Sequence, residues 1–349
     1  DLARSLKGDN NMRKVLLATT ALIAVGTVNA ASADVTISGS YEWQYNTWDK
    51  SGTDYSSGTT SDNSVTQEVD VGIAFSATTD SGLSLAMGYT LIEGSATESV
   101  GVTIGGDFGT IGSGTAFGEY GDKFATAVDV AADPGSPFTA SIGGDIYDTP
   151  GDEMVASTGT GVNYLSPDMS GFQFSLGFAN GGAASHADTT AGGFQYAMAA
   201  GDASITLKYA MSNTGDSYAG AGDGISASSL GLVVGLGDAT ITVASNSAES
   251  DNTVATTVQG STAAYDYKSA GVGVSYTVSD TLSVAAYTAS AENDKDSDYD
   301  VSESGVSLTY TIADGLSTSI THTDMDKKDN NDTTSTSGSY SVVAVNLSF

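Results

Sequence analysis

The chain has 349 residues, no cysteine, and a formal net charge of −31 from 42 acids against 11 lysines and arginines. Without thiols it can form neither disulfides nor thiolate metal sites. A balance this acidic excludes a nucleic-acid partner, whose phosphates need clustered Lys and Arg, and favours cations.

Residues 1–33 read as an upstream extension and a signal peptide. Arg13 and Lys14 precede the apolar run Val15–Val25, and Ala31-Ser32-Ala33 supplies an A-x-A cleavage pattern. The apolar run is too short to be a membrane helix. Cleavage before Asp34 removes four cations and two acids and takes the charge from −31 to −33. The 316 residues left, 34–349, keep seven lysines and no arginine, and are of a length for one large all-β domain.

From Asp34 onward the chain alternates with a period of two. Val35, Ile37, Tyr41, Trp43 and Tyr45 interleave with Thr36, Ser38, Ser40, Glu42 and Gln44. The pattern returns around Val69–Phe75, Leu83–Leu91, Phe172–Phe178, Ile205–Met211, Val306–Ile312 and Val343–Phe349. Period two predicts strands with one apolar face and one small polar face. Seven short Asp-bearing turns punctuate these strands, at 79–82, 106–109, 167–171, 201–202, 237–238, 279–280 and 313–315. Between them lie eight longer polar stretches: 48–63, 93–98, Gly114–Ser157, 181–191, 213–224, 246–260, 291–299 and 324–338. Seven turns and eight loops make fifteen connections, and hence sixteen strands with both ends on the tight-turn side.

A soluble sandwich exposes charges on its outer face. Here the second face is mostly Ser, Thr, Gly and Ala, and the acids gather in the long loops. A closed antiparallel transmembrane β-barrel accommodates this pattern: apolar side chains meet lipid, small polar ones enclose a lumen, and no edge stays unpaired. On that arrangement Glu42, Asp70 and Lys208, each on a polar strand face, are candidates for the pore wall. Trp43, Trp48 and the strand tyrosines suit interfacial girdles.

The third long stretch breaks the rhythm. Gly114–Ser157 carries Glu119, Asp122, Asp129, Asp133, Asp145, Asp148, Asp152 and Glu153 against the single cation Lys123. A loop of this length is usually functional or disordered. Further on, Asp294, Asp296, Asp298 and Asp300 alternate over seven residues. Such a carboxylate cluster suits Ca²⁺, and hydrated loop tips are the competing reading. These acidic loops could also share divalent cations with lipopolysaccharide. His186 and His322 stand alone, and no nucleophile–base constellation or Walker motif occurs.

The chain resembles the sixteen-stranded general diffusion porins of Gram-negative outer membranes, of the alphaproteobacterial type. The resemblance rests on four features: a signal peptide running into Asp34-Val-Thr-Ile-Ser-Gly, the strand–turn–strand Val102–Gly114, the long acidic loop after it, and the terminal Val345-Asn-Leu-Ser-Phe. It implies a homotrimer of water-filled barrels in the outer membrane, with an inward-folded third long loop narrowing each pore. Glu119, Asp122, Lys123, Asp129, Asp133, Asp145 and Asp148 would then sit at the constriction. Family members typically set arginines on the wall opposite that loop; this mature chain has none, which points to a net-negative constriction. The expectation is a passive channel for small hydrophilic solutes and ions, preferring cations, that needs no cofactor. A substrate-selective channel of the same architecture and a soluble exported Ca²⁺-binding sandwich or adhesin are the alternatives.

Overall fold

A computed structural model describes residues 34–52, 63–92, 99–114, 123–126, 160–180, 188–215, 225–250, 265–293, 300–329 and 334–349. Sixteen strands run in chain order: β1 Asp34–Gly52, β2 Asn63–Thr78, β3 Ser84–Ile92, β4 Ser99–Gly106, β5 Gly109–Gly114, β6 Thr160–Leu165, β7 Phe172–Asn180 and β8 Thr189–Ala200. They continue with β9 Ala203–Thr214, β10 Ile225–Leu236, β11 Ala239–Ser250, β12 Tyr265–Ser279, β13 Leu282–Asn293, β14 Asp300–Ala313, β15 Leu316–Asp329 and β16 Thr334–Ser348. Each strand pairs antiparallel with its sequence neighbours, and β1 pairs with β16 to close the ring. A closed barrel rules out the soluble-sandwich alternative. No helix of the described residues is long and apolar enough to cross a membrane.

Exposure shows which way each face points. Ile37, Leu176, Met211, Leu230, Val306 and Ile320 are all exposed, although they are the apolar members of their strands. Their polar neighbours Ser175, Ser212, Ser229, Ser307, Thr321 and Asn163 are buried. In a soluble protein this would be inverted; in a barrel it places the apolar face on lipid and the polar face inside. On β1 the apolar set runs from Val35 to Tyr45. At about 3.4 Å per residue and a tilt near 40° this gives a band about 26 Å tall, the height of an outer-membrane hydrocarbon layer.

All seven expected turns are present, at the same end of the barrel. Glycines with positive φ sit in six of them. Gly315 (φ 71°) lies so close to the Ser348 carbonyl that a side chain would collide with it. On the outside of β6–β9 the rings of Tyr164, Phe174, Phe172, Phe194 and Tyr209 form a ladder with centroid spacings of 5.7–6.2 Å.

Two expectations need correction. Several long loops are shorter than the composition suggested: β1 extends to Gly52, β11 to Ser250 and β15 to Asp329. Asp324 and Asp326 therefore lie on the exposed outer face of a strand rather than in a loop. The inward face is also not uniformly polar: Val301, Met325, Tyr340 and Val342 all point inward and are buried.

Candidate functional site

The candidate site is the lumen wall, which differs sharply from one side to the other. On the β1–β2 side, Glu42 and Asp70 face inward as expected, and the register adds Glu68, directly opposite Glu42. Glu42, Glu68 and Asp70 line one hollow there together with residues of β1 and β16, among them Ser40, Asn346 and Ser348. Gln44 donates from Nε2 to Glu42 Oε1, and Thr66 donates to Gln44 Oε1 at 3.2 Å. Carboxylates facing each other across a strand pair repel. Two such groups held side by side on a wet wall therefore lower the local energy of a cation. Thr66, Glu68, Ala74 and Ser76 are exposed along this wall.

Glu68 was missed at the sequence level, yet the alternation that marks Asp70 marks it too: it lies two residues away on the same face.

Halfway round the sixteen-strand ring from β1 stands β9. Lys208 points inward from it, half-buried, opposite Gln195 of β8 and Gly231 of β10. Lys123 comes close enough to act electrostatically on the Lys208 ammonium. The two cations thus form a positive spot across the lumen from Glu42, Glu68 and Asp70.

Residues 123–126 lie against this same wall. Phe124 is fully buried in one cluster with Leu165, Ala179, Ala191 and Ala210, the inward residues of β6 to β9. The backbone N–H of Thr126 donates to Ser229 Oγ of β10 at 3.0 Å. Two inward glycines make room for these contacts. A Cβ on Gly193 would meet Phe124 Cβ at 3.2 Å, and one on Gly231 would overlap the Thr126 side chain. Small residues on β8–β10 thus form sockets for two pegs, Phe124 and Thr126. A lone aromatic in an acidic run gives no periodic signal, so nothing in the sequence marked the peg.

The remaining expected constriction residues, Glu119, Asp122, Asp129, Asp133, Asp145 and Asp148, lie outside the described residues. So do Asp294, Asp296 and Asp298 of the candidate Ca²⁺ site. Asp300 opens β14, with Glu292 opposite it on one side and Lys328 on the other. Among the described residues no three His, Cys, Asp or Glu groups are arranged to hold a metal ion. His322 is exposed, 3.6 Å from Asp324 through Nε2 and hydrogen-bonded through Nδ1 to Ser341 Oγ at 2.8 Å.

A second polar network lies inside β13–β15. The Tyr287 hydroxyl donates to the buried Glu303 carboxylate and sits 3.4 Å from Thr323 Oγ1. Gly305 lies under the Tyr287 ring, where any side chain would clash.

Residues 18–344 match the family model described as Gram-negative porin. No curated protein matches the chain. Among solved structures, in-vitro folded OmpT, an outer membrane protein of Vibrio cholerae, aligns with a TM-score of 0.64 at 14% identity, covering 92% of this chain and 99% of that one. The anion-selective porin from Comamonas acidovorans aligns at 0.60 and 13% identity, over 91% and 100%. A further refined porin aligns at 0.59 and 19% identity, over 90% and 100%. At these identities the likeness shows the fold. The family match spans nearly all of a closed sixteen-strand barrel whose greasy face points outward, and the chain therefore belongs to the Gram-negative porins, channel-forming barrels of the outer membrane.

Proposed function

We propose that this porin is a passive channel for small hydrophilic solutes and ions, that it prefers cations, and that Gly114–Ser157 folds inward as its third long loop to narrow the lumen. The observation that carries the reading is the pegging of Phe124 and Thr126 on the inward wall of β8–β10. A segment tethered there enters the lumen. Its carboxylates Glu119, Asp122, Asp129, Asp133, Asp145 and Asp148 then add to those of Glu42, Glu68 and Asp70 beside the water path. Narrow acid-lined sites concentrate cations, and low-dielectric walls strengthen the effect. Lys123 and Lys208 offset part of this field on one side only. The chemistry is diffusive: no catalytic group takes part.

The anion preference named for the Comamonas acidovorans porin belongs to that protein. The acids of this chain argue for the opposite sign. The decisive experiment is the reversal potential of the reconstituted channel in a KCl gradient across a planar bilayer. A cation-selective sign is expected, and an anion-selective sign rejects the charge argument. A homotrimer is part of the same reading, supported by the trimer form named for the Vibrio cholerae relative. So is contact of the acidic outer rim with lipopolysaccharide through divalent cations.

A more selective channel of the same architecture has one observation in its favour. The Lys123–Lys208 spot and the Glu42–Glu68–Asp70 wall stand on opposite sides of the lumen, and so favour solutes carrying both charges. Higher permeation of a zwitterion than of a neutral solute of equal size would support it.

A further inference from the structure

The tight-turn end of the barrel carries charge of one sign. Each of its seven turns holds one aspartate: Asp80, Asp107 and Asp168 on the first three, then Asp202, Asp238, Asp280 and Asp314. All seven are exposed. The cations keep away from this end. Lys50, Lys268, Lys327 and Lys328 stand at the long-loop ends of β1, β12 and β15, and Lys123 and Lys295 belong to long connections. Lys208, six positions from Asp202, is the nearest along the chain. Turn chemistry does not require this charge. Asn tolerates the same dihedrals and makes the same local hydrogen bonds, yet none of the seven is Asn. Asp168 does use its carboxylate locally, accepting from the Gly171 N–H at 2.8 Å. The other six carboxylates have no such bond among the described residues.

Topology spaces these groups evenly. Sixteen strands about 4.8 Å apart and tilted about 40° close a ring about 32 Å across. Successive turns are then about 12 Å apart, too far to hold one ion jointly, and each lies about 16 Å from the pore axis. Charges so placed act through their summed field.

We propose that the seven turn aspartates form a specificity-determining ring, which loads cations at the periplasmic mouth of the channel independently of the long loops. It rests on the open channel proposed above and on no contact of its third loop. Coulomb's law in water, screened over about 30 Å, gives a roughly sixfold excess of monovalent cation on the axis of the ring at 10 mM salt. The excess falls to about twofold at 0.1 M and vanishes at 1 M, as the screening length drops to about 10 Å and then about 3 Å. Capture at a mouth scales with the local concentration there. The ring therefore favours cations that enter from the turn side; those arriving from the long-loop side meet it only on leaving.

The test compares the full chain with a variant carrying Asn at all seven positions, as single channels in planar bilayers under symmetric KCl. Heat-modifiable gel mobility checks that the barrel has folded. In the cysteine-free chain, Ser81→Cys in the first turn reports which chamber the turns face, through a maleimide polymer too large to pass the pore. At 10 mM KCl neutralisation should lower the current by about twofold or more in the polarity that draws cations in through the turn end, and by clearly less in the other. At 1 M the two proteins should conduct alike. An unchanged current at 10 mM overturns the inference, and so does an equal loss in both polarities. A loss that persists at 1 M overturns it too, because it reports a changed pore. Should the sevenfold variant fail to fold, Asp80→Asn with Asp238→Asn, on turns well separated around the ring, should give a smaller loss of the same one-sided kind, and no loss rejects the ring. The reversal potential separates this inference from the cation preference proposed above. An anion-selective parent that still shows the one-sided loss removes the overall preference and leaves the ring standing. A cation-selective parent without that loss removes only the ring.

Discussion

The backbone N–H of Gly39 donates to the Phe349 carbonyl at 2.9 Å, and the Phe349 N–H donates back to the Gly39 carbonyl at 3.0 Å. This reciprocal pair fastens the last residue to the first strand. The Phe349 ring lies over Gly39 on the outside of the barrel, its Cζ 2.5 Å from where a Cβ on residue 39 would stand. A side chain at position 39 would displace the terminal ring from this seat.

Gly39→Val should accordingly weaken closure by about 1 kcal/mol, the low end of an overpacking cost, because the displaced Phe349 ring is 79% exposed. Gly88→Ala, on a strand with open space around the new methyl, should change stability by less than about 0.5 kcal/mol. Urea unfolding midpoints in detergent, read by gel mobility, compare the two. Equal midpoints would show that the ring simply moves aside.

Neutralising the β1–β2 wall with Glu42→Gln, Glu68→Gln and Asp70→Asn should shift the reversal potential toward zero. The shift should be larger at 10 mM than at 1 M KCl, because the screening length falls from about 30 Å to about 3 Å. A shift of the same size at both salt concentrations would point to altered pore geometry instead of charge.

The pegs should hold the loop. Phe124→Ala removes a fully buried ring, a change that costs about 3–5 kcal/mol in a packed site, and Gly231→Leu fills the Thr126 socket. Both should raise single-channel conductance and broaden its distribution. Conductance identical to that of the parent would show that the segment is held elsewhere.

Asp129→Asn with Asp133→Asn tests the acids of the loop directly. Cation selectivity should fall while conductance at high salt stays within error. If selectivity holds, those two carboxylates lie away from the narrow zone.

Calcium is expected to give binding heat in titration calorimetry, and the heat should disappear when Asp294, Asp296, Asp298 and Asp300 are changed to Asn. A flat titration of the parent protein removes the calcium site.

Much of the architecture could be read from alternation and turn chemistry alone. The strand number, the seven turns and the outward direction of Ile37, Leu207 and Val306 all follow from period two and from Asp-Gly turns. The ends of the strands did not. Beyond Ile320 the outer face of β15 turns polar, with His322, Asp324 and Asp326 outside, while Thr321 and Thr323 precede Met325 inside, so the apolar-out period disappears while the hydrogen bonding continues. The lumen was read only in part. On β14 the apolar position switches faces between Val301, which points inward, and Val306, which points outward. A pattern that changes phase within one strand cannot be oriented without its neighbours. The inward direction of Glu42, Asp70 and Lys208 was legible because their strands keep a constant phase.

The seam between β1 and β16 has a cost during biogenesis. Tyr41 finds Leu347 only after some three hundred intervening residues have left the ribosome and crossed the inner membrane. Until then the leading strand keeps an unsatisfied row of amides and a greasy flank, each an invitation to clump with another chain. The cell must therefore escort the whole polypeptide, unzipped, to the place where its two ends can meet.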